Sequence, residues 1–445
     1  MDTALLPFSA RGVPSMSRPN YRSELASSLL LPWAVAVTEG SVVGVIAKNA
    51  FEGIVGETVL NFAVATLAAA PAVANIISFA WVRLSHGRAK VAFINGLQVT
   101  LVALVAAMAL VPRTPLGLAM LVAIIVLARL AYAGIVTLRS TVWAANYPTR
   151  ARARVTGRLA TVQSEIVAVA GLLIGLAMKW DARSYRVLTP ALALVGLLGA
   201  WRYSKVRVRH HRRLIARERQ TDGADRPSFN PASLVRVLSG DRAFAAFMWC
   251  QMLIGFGNLM MSPVLTVILK DRFGIGYEGV IVNHTIPLVV IPLFIPMWAR
   301  LLDRVHIVWF RAIHSWVFVA AAALHLVAAL EATQSLLYLG ALVKGIGFAG
   351  GAMAWSLGHL DFAPPDRSSQ YMGVHVTLTG VRGLLAPVIG MQIYSMLEAR
   401  QEGAGSWVFA LALASIIAGA IGFAVLGRSL TSRRGRLGKP EGWDG

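Results

Sequence analysis

The sequence predicts an all-α polytopic membrane protein whose twelve transmembrane helices fall into two six-helix pseudo-repeats. Three observations carry this. Hydrophobic residues make up 56% of the chain and charged residues only 14%, with a mean hydropathy of +0.63, a balance that a soluble core and surface together do not reach. Apolar stretches of about 20 residues, the length that crosses about 30 Å of hydrocarbon, recur along the whole chain. One long polar segment divides them six and six.

Residues 1–25 read as a cytoplasmic arm, with Arg11, Arg18 and Arg22 but without the compact apolar core and small-residue cleavage site of a signal peptide. The N-terminal bundle, 26–204, holds spans expected at 26–48, 58–82, 91–111, 117–142, 159–179 and 187–204. A basic cytoplasmic linker, 205–242, follows; its first part reads either as an amphipathic helix on the membrane surface or as a solvated basic tether. The C-terminal bundle, 243–427, holds spans at 243–269, 279–299, 308–330, 334–357, 372–396 and 406–427, and a cytoplasmic tail fills 428–445. Trp81, Trp143, Trp180, Trp201 and Trp298 fall near expected span ends, as interfacial anchors do.

The net charge of +21 raises the question of nucleic acid. Threading the spans from a cytoplasmic N-terminus puts most of the 42 Lys and Arg on one side, in the arm, the even-numbered turns, the linker and the tail. That is the positive-inside pattern. It predicts a bacterial-type inner membrane with both termini cytoplasmic, anionic lipid headgroups as partners of the basic side, and no nucleic acid. A monomer is expected. Cys250 is the only cysteine, which excludes an intramolecular disulfide and a cysteine-cluster metal site.

The halves resemble each other in register. Pro71 and Pro287, Gly134 and Gly350, Pro148 and Pro364, and Gly157 and Gly373 are each separated by 216 residues. The ends of the first and seventh spans add "VIAKNAF" (45–51) against "VILKDRF" (267–273). Parallel repeats of this kind place a substrate site at their interface near the midplane.

These features, with three short motifs, resemble the major facilitator superfamily over essentially the whole chain. Its loop signature between the second and third helices appears in "WVRLSHGRAK" (81–90), with Gly87, Arg88 and Lys90 kept and Leu84 where the family has Asp. The repeat of that loop is "ARLLDRVH" (299–306), with Asp303 and Arg304 kept. "ARLAYAG" (128–134) is similar to the family's fourth-helix arginine motif, while the fifth-helix Gly-Pro motif of drug/proton antiporters is missing. The resemblance implies a twelve-helix secondary carrier working by alternating access, in which that loop latches the cytoplasmic helix ends.

No phosphate loop, His-Glu-x-x-His or Gly-x-Ser-x-Gly occurs in the sequence, so neither ATP hydrolysis nor an enzyme is expected, and no cofactor or metal is called for. A gradient must then drive any transport. Ionisable residues at bilayer depth cost roughly 2.5–3.5 kcal/mol and mark cavities or partners. Only Glu39 and Glu165 among the acids lie well inside the expected spans, with Glu57 near a helix end; Arg129, Lys344 and Arg382 are the deepest bases, and Arg139 lies close enough to the cytoplasmic end to snorkel. Arg129 and Glu165 sit at similar depth, which predicts a pair. Glu39 is then the acid without a partner and the expected proton carrier, with Glu165 and His284 as rivals. Arg129, Asn258, Asn283, Lys344, His375, Thr379 and Arg382 are candidates for a cavity that binds a small and anionic or amphiphilic solute. Each has a packing role as its alternative. Non-transporting membrane sensor or scaffold, and drug or metabolite exporter, are the competing functions.

Overall fold

The computed structural model describes residues 9–10, 12–181, 183–220, 227–271, 273 and 277–434, excepting the side chains at 41, 179, 270–271, 277–285, 365 and 433–434. Among these every regular element is helical. The helices are α1 (Arg18–Val37), α2 (Gly40–Phe51), α3 (Glu57–Ile76), α4 (Ser78–Ser85), α5 (Lys90–Ala107), α6 (Pro115–Asn146), α7 (Thr149–Trp180) and α8 (Tyr185–Tyr203). The linker contributes α9 (His211–Gln220) and α10 (Ala232–Gly240). The rest are α11 (Arg242–Asp271), α12 (Tyr277–Leu302), α13 (Ile307–Glu331), α14 (Gln334–Leu357), α15 (Ser368–Glu398) and α16 (Val408–Arg434).

Ten helical stretches among the described residues are long and apolar enough to cross a membrane. The sixth and eighth expected spans correspond to α8 and α12, both helical but outside that ten; the apolar described part of α12 is the shorter Ile286–Leu302. The starts of the long helices are set locally. Thr114 caps α6 by accepting a hydrogen bond from Gly117 N at 3.1 Å, and Pro115, lacking an amide hydrogen, occupies the first turn where none is needed.

Two spans expected to be continuous are broken. The first starts earlier than expected, at Arg18, and its helix stops at Val37, restarting at Gly40. The second breaks at Ile77, six residues beyond Pro71, which lies inside α3.

The chain forms two compact units, Met1–Leu234 with Pro364–Gly380, and Val235–Ala363 with Val381–Gly445. In the first, α1 packs on α8, α5 on α6 and α8, and α3 on α6; in the second, α11 packs on α16, α13 on α14 and α16, and α12 on α14. These pairings correspond one to one in the order of spans.

Two of the tryptophans act differently from the anchors expected. Trp143 is buried and donates to Glu24, and Trp298 is buried and donates to Ile346 O at 2.9 Å. Trp180 and Trp201 are exposed.

Candidate functional site

The break in the first span builds the site. Thr38 Oγ1 donates to Val35 O at 2.8 Å, closing the last turn of α1, and Glu39 then takes an extended conformation at φ −66° and ψ 136°. Gly40 permits the restart to approach α3, since a Cβ there would lie 3.1 Å from Ala68 Cα. The Glu39 backbone carbonyl accepts from Val43 N at 2.9 Å, while its side chain makes no cap bond. The carboxylate is instead 2.7 Å from the Arg129 guanidinium.

This corrects the pairing expected from depth. Arg129 is held by Glu39, and Glu165 has an exposed side chain on α7 with no ion pair among the described residues. Matching depth fixes height along the membrane normal but not which face of a helix a side chain occupies. Glu39 therefore has a partner after all. The pair is asymmetric: Arg129 is 4% exposed and Glu39 37%. Arg129 also lies 5.8 Å from the centre of the Tyr132 ring, and its Nε has no hydrogen-bond partner.

A buried acid of the N-terminal unit lies outside the expected span. Glu24, 2% exposed, accepts from Trp143 Nε1 at 2.6 Å and Tyr147 OH at 2.9 Å. Burial, and then the adjacent Glu24 carboxylate, push the Tyr147 phenol well above its ordinary range, so it stays a donor. Arg139, expected to snorkel, is 8% exposed and sits with its guanidinium carbon 5.7 Å from the Trp143 ring centre.

His375 and Thr379 belong to the stretch of α15 counted with the N-terminal unit. His375 is buried and Thr379 half-buried. Beside them Thr377 Oγ1 donates to Ile76 O at 3.2 Å.

In the C-terminal unit Arg382, 8% exposed, donates from Nη1 to Gln251 O at 2.8 Å, and its guanidinium fills the space that a side chain on Gly255 would need. Lys344 is half-buried, 5.6 Å from the Phe348 ring centre. Asn258 bonds back to Ile254 O on its own helix at 2.9 Å, a packing arrangement. The side chains of Asn283 and His284 lie outside the described residues.

Arg311, near the start of the expected span 308–330, is fully buried. Its Nη1 lies 3.0 Å from His314 Nδ1, and His314 Nε2 lies 2.7 Å from Gly347 O. A carbonyl only accepts, so Nε2 carries the hydrogen and Nδ1 receives the Arg311 proton donor, which makes His314 a neutral imidazole. None of Arg311, Lys344 and Arg382 is in an ion pair among the described residues.

At the loop motif, Gly87 takes φ +66°, where glycine is favoured, and Lys90 is 1% exposed while Arg88 is exposed. In the repeat loop Asp303 is buried and Arg304 exposed. No group of three or more His, Cys, Asp or Glu is placed to hold a metal ion among the described residues.

Two bundles of membrane-crossing helices with the same internal pairing, and a broken span carrying a charged pair, describe a solute-carrier fold. The sequence profile of the Major Facilitator Superfamily matches residues 26–387. The chain belongs to that superfamily. Among solved structures it is similar to the human organic anion transporter MFSD10 (TETRAN), with TM-score 0.67 and 13% identity over 92% of this chain and 100% of that one. It is also similar to the proton:xylose symporter XylE (TM-score 0.64, 14% identity, 92% and 95% covered). A bacterial homologue of the iron transporter ferroportin gives TM-score 0.67 at 12% identity, covering 92% and 99%. No curated protein matches the sequence.

Proposed function

We propose that this membrane transporter is a proton-coupled secondary carrier of a small anionic solute, working by alternating access in a bacterial-type inner membrane with both termini and the linker cytoplasmic. The observation that carries the reading is the Glu39–Arg129 pair at the break of the first span. Irregular backbone at membrane depth is tolerated where it lines a cavity or is packed in protein, and such breaks bind ions and substrates in other carriers. With Glu39 ionised, its carboxylate occupies Arg129. A proton on Glu39 removes that charge and leaves the guanidinium open to another anion. Proton uptake and anion binding then favour each other through one shared partner.

The charge of the C-terminal unit supports the anion. Arg311, Lys344 and Arg382 are three cations with no paired carboxylate among the described residues. An organic anion transporter and a proton-coupled sugar symporter stand among the fold's neighbours; at such low identity they support the architecture, and the choice of an anion rests on the residues here.

The experiment begins with thermal-shift screening of small carboxylates and phosphates, followed by flux of the best binder into proteoliposomes under an imposed pH gradient. Glu39→Gln is expected to abolish accumulation while leaving counterflow exchange measurable. A Glu39→Gln protein that still concentrates the solute with unchanged pH dependence refutes the coupling role.

A further inference from the structure

The loop between α4 and α5 poses an electrostatic problem. Lys90, at the first turn of α5, is 1% exposed, and a buried ammonium is costly unless a carboxylate meets it. The loop itself, Ser85 to Ala89, has none. The corresponding start of α13 is held by Asp361, whose Oδ2 accepts from Ile307 N at 2.7 Å. The residue 216 positions before Asp361 is Ala145, so the N-terminal repeat lacks that solution too.

The carboxylate comes from the linker. Glu218 of α9 is 1% exposed, and its Oε2 accepts from Lys90 Nζ at 2.8 Å and from Gly87 N at 2.7 Å. Lys90 also donates to Ser85 O at 2.8 Å, and the next residue, Arg219, donates from Nε to Gly87 O at 3.3 Å. Glu218 is the single acid in the basic run from Arg202 to Gln220, and it is turned inward beside buried Leu214, four residues before it on the same helix face.

The same helix touches a second element. α9 lies against the turn Pro365–Arg367, which leads into α15. That leading part of α15 is bound into the N-terminal unit: Ser368 and Thr141 hydroxyls are 2.9 Å apart, and Ser78 Oγ donates to Gly373 O at 3.3 Å. Gly380 lies against α3, where a Cβ would meet Ile76 N at 2.6 Å.

We propose that α9 is a clasp: Glu218 locks the linker helix onto the 85–90 loop, and the docked helix in turn holds the 365–367 turn at the entry to α15. Linker attachment and the ordering of a turn about 150 residues further along the sequence are thereby coupled through one carboxylate. This stands apart from the identity of the solute.

Hydrogen–deuterium exchange of the full chain in nanodiscs tests it. Glu218→Gln is expected to raise exchange at least tenfold in 85–90 and 211–220, and also in 366–372, to which Glu218 itself makes no hydrogen bond or ion pair. The interior of α6 should be unchanged. Glu218→Asp keeps the charge on a shorter arm and should recover part of the protection in all three segments. Faster exchange confined to 85–90 and 211–220 overturns the clasp, as does exchange within twofold of the unaltered protein everywhere. If Glu218→Gln fails to fold, Arg219→Ala removes one contact without stranding a buried charge. It should loosen the same three segments to a smaller degree, and a change restricted to 85–90 counts against the proposal equally.

Discussion

Truncating the two members of the Glu39–Arg129 pair should cost very different amounts. Glu39→Ala leaves a guanidinium that is 4% exposed without its counter-ion, and its Nε is already unpartnered. Stranding a buried charge in this way costs about 3–5 kcal/mol. Arg129→Met leaves a carboxylate whose side chain is 37% exposed and can be hydrated. Solvent then replaces most of what the pair supplied, and the loss falls near the roughly 0–1 kcal/mol typical of accessible ion pairs. The Glu39→Ala/Arg129→Met protein strands nothing and should recover most of the loss. One kcal/mol moves a thermal transition by roughly 2–4 °C in chains of 150–250 residues and by less in longer ones. The single Glu39→Ala change should therefore lower it by roughly 4–8 °C and Arg129→Met by under about 2 °C. Tryptophan fluorescence during a thermal ramp in detergent reads this directly, since the chain has 12 tryptophans. Equal losses, a larger loss for Arg129→Met, or a double substitution whose loss is the sum of the two would refute the reasoning.

Tyr147→Phe should destabilise by about 1.5–3 kcal/mol, because it removes one of two donors to a buried carboxylate. The phenol also has a folded-state pKa above its ordinary value of 10. Its stabilising contribution is therefore complete below about pH 10 and falls as pH rises beyond it; Tyr147→Phe should flatten that alkaline limb in thermal ramps from pH 8 to 11. Gly134→Ala places a Cβ 2.7 Å from Leu97 Cδ1 and 2.9 Å from Trp81 Cγ, an overpacking worth about 1–3 kcal/mol and visible in the same ramps. For topology, Ser228→Cys should resist a membrane-impermeant maleimide in intact cells and react after permeabilisation, against a background in which native Cys250 is 7% exposed. Labelling from outside would invert the orientation.

The class of protein was legible because composition and 20-residue periodicity report burial in lipid directly. The site was legible only in part. Glu39 and Arg129 both stand out as charges in apolar runs, but their pairing was not recoverable from depth, which leaves helix rotation undetermined. The break itself had a signal: Thr38, Glu39 and Gly40 are a capping hydroxyl, an acid and a glycine in succession, a stop and restart written inside an apolar run. Glu24 lies just outside the span expected from residue 26, because Arg18, Arg22 and Glu24 itself interrupt the apolar run. Tyr21, Glu24, Ser28 and Leu31 follow helical spacing and would have extended it. Glu218 carried no comparable signal, since a lone acid in a basic run reads as solvated charge and its partner Lys90 is 128 positions away.

The repeats share a packing slot and differ in the chemistry that fills it. Gly134 faces Trp81 and Leu97, and Gly350 faces Trp298 and His314, each glycine giving way to a tryptophan from the span two before it. Leu97 lies against the glycine in the first repeat and His314 in the second, where at the 216-residue offset His314 matches Gln98, and that imidazole accepts from the buried Arg311. The histidine thus gives the interior Arg311 an acceptor in place of a carboxylate. The first unit meets two of its interior bases with carboxylates, Arg129 with Glu39 and Lys90 with Glu218, while Lys344 and Arg382 of the second lack carboxylate partners among the described residues. Buried ionisable groups are expensive, so interior cations kept without acids call for another role. The proposed coupling supplies one: Glu39 gains and loses a proton beside Arg129, and cations with no acid to neutralise them favour a solute carrying negative charge.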